Sequence, residues 1–259
     1  MKHRYATMCT LTIVSAVIVA FSAMQSVRAQ NNQDGLRAIP AIFVGGAGDC
    51  FAGSPAGSRI VTSAWLGGMG LPDNGGNTTT AIDLDNANKN DPHRGLLLSK
   101  NGPTPDCSAA GATIQGARGL LVTATFELGF DYRNGGHCGA GAPRYNVVAT
   151  SPTGGANTFH FVGGCANGVK TPAPQDALQW TRVRFTNAQA FPPLVPGSRI
   201  VSIELIFDEG TDALSVPDDP NGIGLAVVDN LDIDGDLIRS GQGIADGPNG
   251  GGGGNNQQP

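Results

Sequence analysis

Aromatic side chains make up only 6% of the 259 residues and charged ones 14%. Glutamate is scarcer still: of 21 acidic residues only Glu127, Glu204 and Glu209 are Glu, which leaves 18 Asp. A chain with so little Glu, 39 Gly and 17 Pro is a poor source of long helices, because Gly and Pro are the worst residues for a helix interior and Asp prefers turns, caps and cation ligation. Positive charge is short too, 16 Lys and Arg giving a formal net charge of -5. A nucleic-acid binder needs the opposite sign. Familiar catalytic motifs are missing: there is no Gly-x-Ser-x-Gly elbow, no phosphate-binding Gly-x-x-x-x-Gly-Lys-Ser/Thr, no Gly-x-Gly-x-x-Gly and no His-Glu-x-x-His. No internal repeat occurs.

What is present begins with a leader. Lys2, His3 and Arg4 precede a mostly apolar run over residues 9–24, followed by Gln25-Ser26-Val27-Arg28-Ala29. Charged, apolar and small-residue zones in that order predict a secretory signal peptide over residues 1–29, with the small Val27 and Ala29 before the cleavage point. Removing Lys2, Arg4 and Arg28 takes the net charge from -5 to -8. No later stretch is apolar for long enough to span a bilayer, so the expected product is secreted, extracellular or periplasmic, with no membrane insertion after cleavage.

Cleavage also removes Cys9 and leaves Cys50, Cys107, Cys138 and Cys165, an even number in an oxidising compartment. Four cysteines allow three pairings. Residues 144–150 and 158–161 read as two strands joined by a Gly-rich turn, which puts Cys138 and Cys165 at the open end of one hairpin. That favours Cys138 with Cys165 and leaves Cys50 with Cys107. A Cys138 nucleophile beside His137 would strand an odd thiol.

Along the mature chain, residues 30–35 read as a flexible N-terminus, 36–239 as a single domain, and 240–259 as a disordered Gly/Asn/Gln tail. Apolar periodicity within the domain is 2, not 3.6. From Val122 the even positions Val122, Ala124, Phe126, Leu128, Phe130 and Tyr132 alternate with Thr123, Thr125, Glu127, Gly129, Asp131 and Arg133, predicting one long half-buried strand. Residues 199–209 repeat the pattern, and shorter runs at 39–44, 59–66, 79–84, 95–99, 178–186 and 224–238 are separated by Gly, Pro, Asn and Asp clusters. About ten such strands make an all-β, two-sheet antiparallel sandwich; a parallel sheet would need crossover helices, and no segment has their period.

One acid breaks the pattern. Strict alternation over 224–238 puts Leu225, Val227, Asp229, Leu231 and Ile233 on one face, so Asp229 falls in an apolar row and needs a partner. Residues 204–236 hold ten acids and no Lys or Arg. A hard cation such as Ca²⁺, which takes six to eight oxygens, would supply one, with Asp229, Asp208 and Asn230 as expected ligands; in the alternative, Asp229 pairs with a distant arginine or caps a bulge and the other acids line solvated turns. Asn230, Asp232, Asp234, Gly235 and Leu237 imitate part of an EF-hand loop, but Gly241 stands where the bidentate Glu belongs and the flanks read as strand. An Asp-Gly turn is the expected role of that segment.

The apolar-acidic strand pair over residues 200–208 and 224–233, ending in Val227-Val228-Asp229-Asn230-Leu231, resembles the closing strands of bacterial secreted jelly-roll modules of the carbohydrate-binding type. The resemblance spans about 40 residues. It implies a jelly-roll sandwich, a structural calcium held partly by Asp229, and a glycan or other cell-surface or matrix component as partner.

Sugar recognition needs an outward aromatic ring beside planar hydrogen-bonding groups. Trp180 alternates with Arg182 and Arg184, opposite in phase to Thr181, Val183 and Phe185, and is the expected platform. Arg182, Asn146, Arg144, His160, Glu127 and Asp131 would supply its polar edge. In the alternative, Trp180 covers a core rim and the arginines pair with Glu127 and Asp131. Trp65, in phase with Val61, is expected in the core. The leading expectation is a calcium-stabilised, non-catalytic glycan-binding protein with no assigned catalytic residue. The others are a glycan-active enzyme using Glu127 or Glu204, and a structural envelope or matrix protein.

Overall fold

The computed structural model describes residues 35–44, 61–76, 91–101, 108–209 and 224–247, all but Gly35 within one compact unit, Leu36–Pro259. The expected leader, the Cys50–Cys107 pair and the strand expected at 79–84 lie outside the described residues.

Among the described residues the chain forms fourteen strands: β1 (Arg37–Phe43), β2 (Val61–Leu66), β3 (Gly95–Lys100), β4 (Ala109–Gln115), β5 (Glu127–Arg133), β6 (Arg144–Ala149), β7 (Thr158–Gly163), β8 (Val169–Pro172), β9 (Trp180–Thr186), β10 (Ala190–Phe191), β11 (Ile200–Phe207), β12 (Leu225–Ile233), β13 (Asp236–Ile238) and β14 (Ile244–Gly247). They build two antiparallel sheets. One has six strands in the order β1-β4-β11-β6-β7-β10; the other has eight, β14-β2-β3-β12-β5-β9-β8 with β13 hairpinned onto β12. The protein is an all-β sandwich, as the period of 2 predicts.

The two inner faces supply one core. Tyr145, Val147, Ile203, Leu205 and Phe207 of the six-stranded sheet pack against Trp65, Leu96, Leu98, Leu128, Phe130, Val183 and Phe185 of the other. Trp65 is in the core, as expected. Three side chains also cross between the sheets to backbone carbonyls: Tyr145 Oη donates to Gly129 O at 2.7 Å, Ser63 Oγ to Gly111 O at 2.6 Å, and Trp65 Nε1 to Ala38 O at 2.8 Å. Buried hydroxyl and indole groups need such acceptors, and these carbonyls supply them.

Three expectations are corrected, and one strand, β4, was not anticipated. The long strand from Val122 begins only at Glu127: residues 123–126 turn, with the Phe126 amide donating to Thr123 O, although Val122 and Phe126 are both buried. β4 has no sequence signal, because Ala109-Ala110-Gly111-Ala112 is too small to show a period. Its smallness is structural: a Cβ on Gly111 would collide with Leu205 O and the Phe43 ring. The tail does not begin at 240, since Ile244–Gly247 pairs with β2 and satisfies an edge that would otherwise stand open.

The third correction concerns β12. Its pairing with β5 slips between Asp229 and Asp232, where Asn230 takes φ +45°. This bulge inverts the alternation. Leu231 and Ile233 join Ala226 and Val228 in the inter-sheet core, while Val227 and Asp229 face out of the eight-stranded sheet. The strand then ends as expected in an Asp-Gly turn, with Asp234 and Gly235 at φ +56° and +95°.

Candidate functional site

The outer face of the eight-stranded sheet carries much of the predicted site, and it is closed. Trp180 is 3% exposed and packs with Leu71, Ala173 and Val227, with Met69 and Leu97 at the margin. It is not a platform: residues 67–76 cross over its side of the sheet and cover it. Beside this cluster runs a polar network. Asp131, fully buried, accepts from Arg182 Nε and Nη2 at 3.0 and 3.2 Å and from Asn230 Nδ2 at 2.8 Å. Arg184 Nε lies 2.8 Å from Asp232 Oδ2 and 3.7 Å from Glu127 Oε1. Gly129 permits this, since a Cβ there would meet Arg184 Cδ. The hydrogen bond to Asp131 and its charge strengthen the hold of Arg182 on its proton, against the desolvation that opposes it. Burial pushes Glu127 and Asp232 up from the usual carboxylate range, Arg184 opposing it in both. Arg182, Asp131 and Glu127 thus belong to a cross-strand ion-pair network, not to the edge of a sugar site.

Asp229 finds backbone amides as partners. Its Oδ1 accepts from Asn230 N at 2.6 Å and Oδ2 from Leu71 N at 2.7 Å. Burial pushes its carboxyl well above the usual range, more than these two donors lower it. Asn230 Nδ2 also donates to Gln175 Oε1 at 2.5 Å, and Gln175 Nε2 holds Pro72 O and Gly76 O of the covering segment. The expected calcium ligands are not brought together. Asp229 and Asn230 sit on this face, whereas Asp208 follows β11 in the other sheet and is held by Arg144 through two 2.6 Å bonds. Among the described residues no group of three His, Cys, Asp or Glu is placed to hold a metal ion.

The open aromatic surface lies on the opposite side of the molecule. The register of the six-stranded sheet aligns Ile39, Thr113, Glu204, Asn146, Phe161 and Phe191 in one outward row across all six strands. Phe161 is 44% and Phe191 77% exposed. Phe159, two residues before Phe161 on the same face, meets its ring edge-on at 4.9 Å. The Arg144 guanidinium lies 5.3 Å from the Phe161 centroid, and its Nε donates to Asn146 Oδ1 at 3.1 Å. Phe161 is therefore held by Phe159 and Arg144, and Phe191 carries the freest ring. Asn146 and Arg144, both predicted, are here, but beside phenylalanines instead of Trp180.

His160 faces the other way. It is 4% exposed, inward with its register partner Val147, and its Nδ1 meets Pro192 O at 2.6 Å. Because a carbonyl oxygen can only accept, Nδ1 is the donor, and the ring braces the segment that follows Phe191 from beneath; it is not at the polar edge. Glu204 lies at the middle of the outward row. It is 9% exposed, no hydrogen bond or ion pair engages its carboxylate among the described residues, and burial pushes its carboxyl up.

The end of the sandwich holds a third group. Cys138 and Cys165 are disulfide-bonded with Cα atoms 5.0 Å apart, closing the open end of the β6–β7 hairpin as expected and removing Cys138 as a nucleophile. Next to it His137 Nε2 lies 3.1 Å from Glu209 Oε2, which also accepts from the Ala142 amide at 3.0 Å. Gly139 and Gly141 make room for that carboxylate, since a Cβ on either would collide with it. A shallow groove lined by Tyr132, Asn134, His137, Cys138 and Lys170 opens alongside.

Phe159, Phe161 and Phe191 were not legible as a site. Alternation by hydrophobicity turns phenylalanines inward and His160 outward; the signal that reverses this is β6, whose Tyr145, Val147 and Ala149 are inward and force their partners Val162, His160 and Thr158 into the same phase. Compared with protein-family models, with curated proteins and with solved structures, the chain matches none.

Proposed function

We propose that this is a secreted, non-catalytic glycan-binding protein on a β-sandwich of the jelly-roll, carbohydrate-binding-module-like type, with the outer face of the six-stranded sheet as its binding surface. The observation that carries the reading is the single row that sets exposed Phe191 and Phe161 beside the Asn146 amide and the Glu204 carboxylate. Pyranose rings present C–H faces that stack on aromatic rings and hydroxyl edges that need fixed donors and acceptors, and this row offers both side by side. Large aromatics on an open sheet face are uncommon unless something covers them.

The arrangement also weighs against the paired-carboxylate enzyme. Glycoside hydrolysis needs two carboxyl groups about 5–10 Å apart across one bond, and Glu127 and Glu204 project from opposite outer faces of the sandwich.

The test is glycan-array screening of the mature protein, followed by affinity electrophoresis of Phe191→Ala and Phe161→Ala. Each substitution removes an exposed ring and is expected to weaken retention about tenfold, a stacking loss of about 1.4 kcal/mol, with the circular dichroism spectrum unchanged. Undiminished retention in the double variant, or an array on which nothing binds, would overturn the proposal.

A further inference from the structure

We infer that the glycan taken by this face is neutral, and that Glu204 is the residue that excludes anionic ones. The inference rests on the glycan-binding reading and narrows it to a ligand class.

Glu204 projects from β11, a central strand, with Thr113 and Asn146 as its lateral neighbours and Ser202 and Ile206 before and after it on the same face. At 9% exposure Glu204 is mostly covered, its carboxylate oxygens keep some contact with solvent, and no donor or cation engages them among the described residues. A partly desolvated acceptor with no donor gains from a ligand that brings one. Asn146 stands on the next strand, about 5 Å away. Its Oδ1 is occupied by Arg144, which fixes the amide and points the two Nδ2 hydrogens elsewhere. Acceptor and donor therefore stand side by side, and a sugar hydroxyl, which donates and accepts at once, satisfies both. Phe161, one strand further, lies about 10 Å from Glu204, so a sugar stacked on the rings extends its hydroxyl edge across this pair.

A uronate, sulfate or phosphate would meet the opposite electrostatics. Arg144, two residues before Asn146 on the adjacent strand, has both of its terminal nitrogens spent on Asp208 at 2.6 Å. Arg37 is on the same outward face but two strands away on β1. An anionic ligand would thus face a carboxylate that no cation engages among the described residues, and like charges placed side by side repel. The surplus of acids in the chain has the same sign.

The experiment is affinity electrophoresis of the mature protein in gels containing neutral polysaccharides (mixed-linkage β-glucan, xyloglucan, galactomannan) or anionic ones (alginate, polygalacturonate, heparin). It is run on wild type, Glu204→Gln, Glu204→Lys and Phe191→Ala. Wild type is expected to be retarded by at least one neutral polymer and by no anionic one. Glu204→Gln loses the charge-assisted bond and is expected to weaken neutral binding about tenfold, and Glu204→Lys to gain retention on polygalacturonate. If wild type prefers an anionic polymer and Phe191→Ala abolishes that preference, the inference fails while the glycan-binding reading stands. Neutral binding indifferent to Glu204→Gln also overturns it. Binding to neither class removes both.

Discussion

Asp229 and Leu71 are joined by a 2.7 Å hydrogen bond from the Leu71 amide to the Asp229 carboxylate, across 158 residues of chain. That contact docks residues 67–76 onto the eight-stranded sheet and seals Trp180 beneath them. The acid that makes it is buried, and burial raises its pKa in the folded protein.

A pH dependence follows. Between the ordinary carboxylate pKa and the raised one, the folded chain binds the Asp229 proton more tightly than the unfolded chain does. Its contribution to stability is therefore greatest at low pH and is lost as pH rises through the folded value. Asp229→Asn lacks this proton, so the stability of wild type relative to the variant is expected to decline with rising pH by about 1.4 kcal/mol per unit by which the pKa is raised. Urea denaturation of both proteins from pH 4 to 9 measures it; a flat difference contradicts it. Asp229 and Asp208 lie on different sheets, so the effect of Asp229→Asn on the melting temperature is expected to be the same with and without EDTA.

The two arginine-carboxylate pairs on opposite faces should differ in worth. Asp131 is fully buried, and removing Arg182 strands its charge. Arg182→Met is expected to cost about 3–5 kcal/mol, moderated by Arg184 Nη1, which lies 3.6 Å from Asp131 Oδ1. Asp208 keeps 35% of its side-chain surface in water, so breaking its pair by Asp208→Asn is expected to cost no more than about 1 kcal/mol. Urea midpoints of the two variants compare them directly. Equal losses would show that burial is not what separates the pairs.

Replacing Cys138 and Cys165 by alanine opens a loop of 27 residues in sequence separation, and the chain-entropy account assigns that closure about 3–4 kcal/mol. The reduced or doubly substituted protein is expected to unfold at correspondingly lower urea, with its far-UV spectrum retained in the absence of denaturant. No change in midpoint would mean that the β6–β7 ladder alone holds this end closed.

The sandwich class, most strand cores, the Cys138–Cys165 pair, the Trp65 core position and the Asp-Gly turn at Asp234 were all legible in the sequence. Each depends on local alternation or a turn dipeptide, and such signals survive without knowledge of the third dimension. What escaped depended on a partner strand. Asn230 is one extra residue in β12, and no local pattern marks it, yet it reverses the facing of everything after it. Trp180 alternates correctly with Arg182 and Arg184 and does face out of its sheet; the covering segment 67–76 is 104 residues or more away in sequence, so its burial has no local trace. The orientation of Phe161 is set by pairing with β6. The predicted site was therefore assembled from correct phases on one sheet and an incorrect phase for His160 on the other.

The bonds from Tyr145, Ser63 and Trp65 to carbonyls of the facing sheet have a further meaning. Dispersion between two greasy layers is nearly indifferent to a small slide of one over the other, whereas a hydroxyl or indole hydrogen reaches only one oxygen. Three such pins, spread from β1 and β2 to β5 and β6, lock the layers in a single alignment. That lock fixes where the sheet carrying Phe191 and Glu204, whose strands are four places and one place removed from β4, sits over the other.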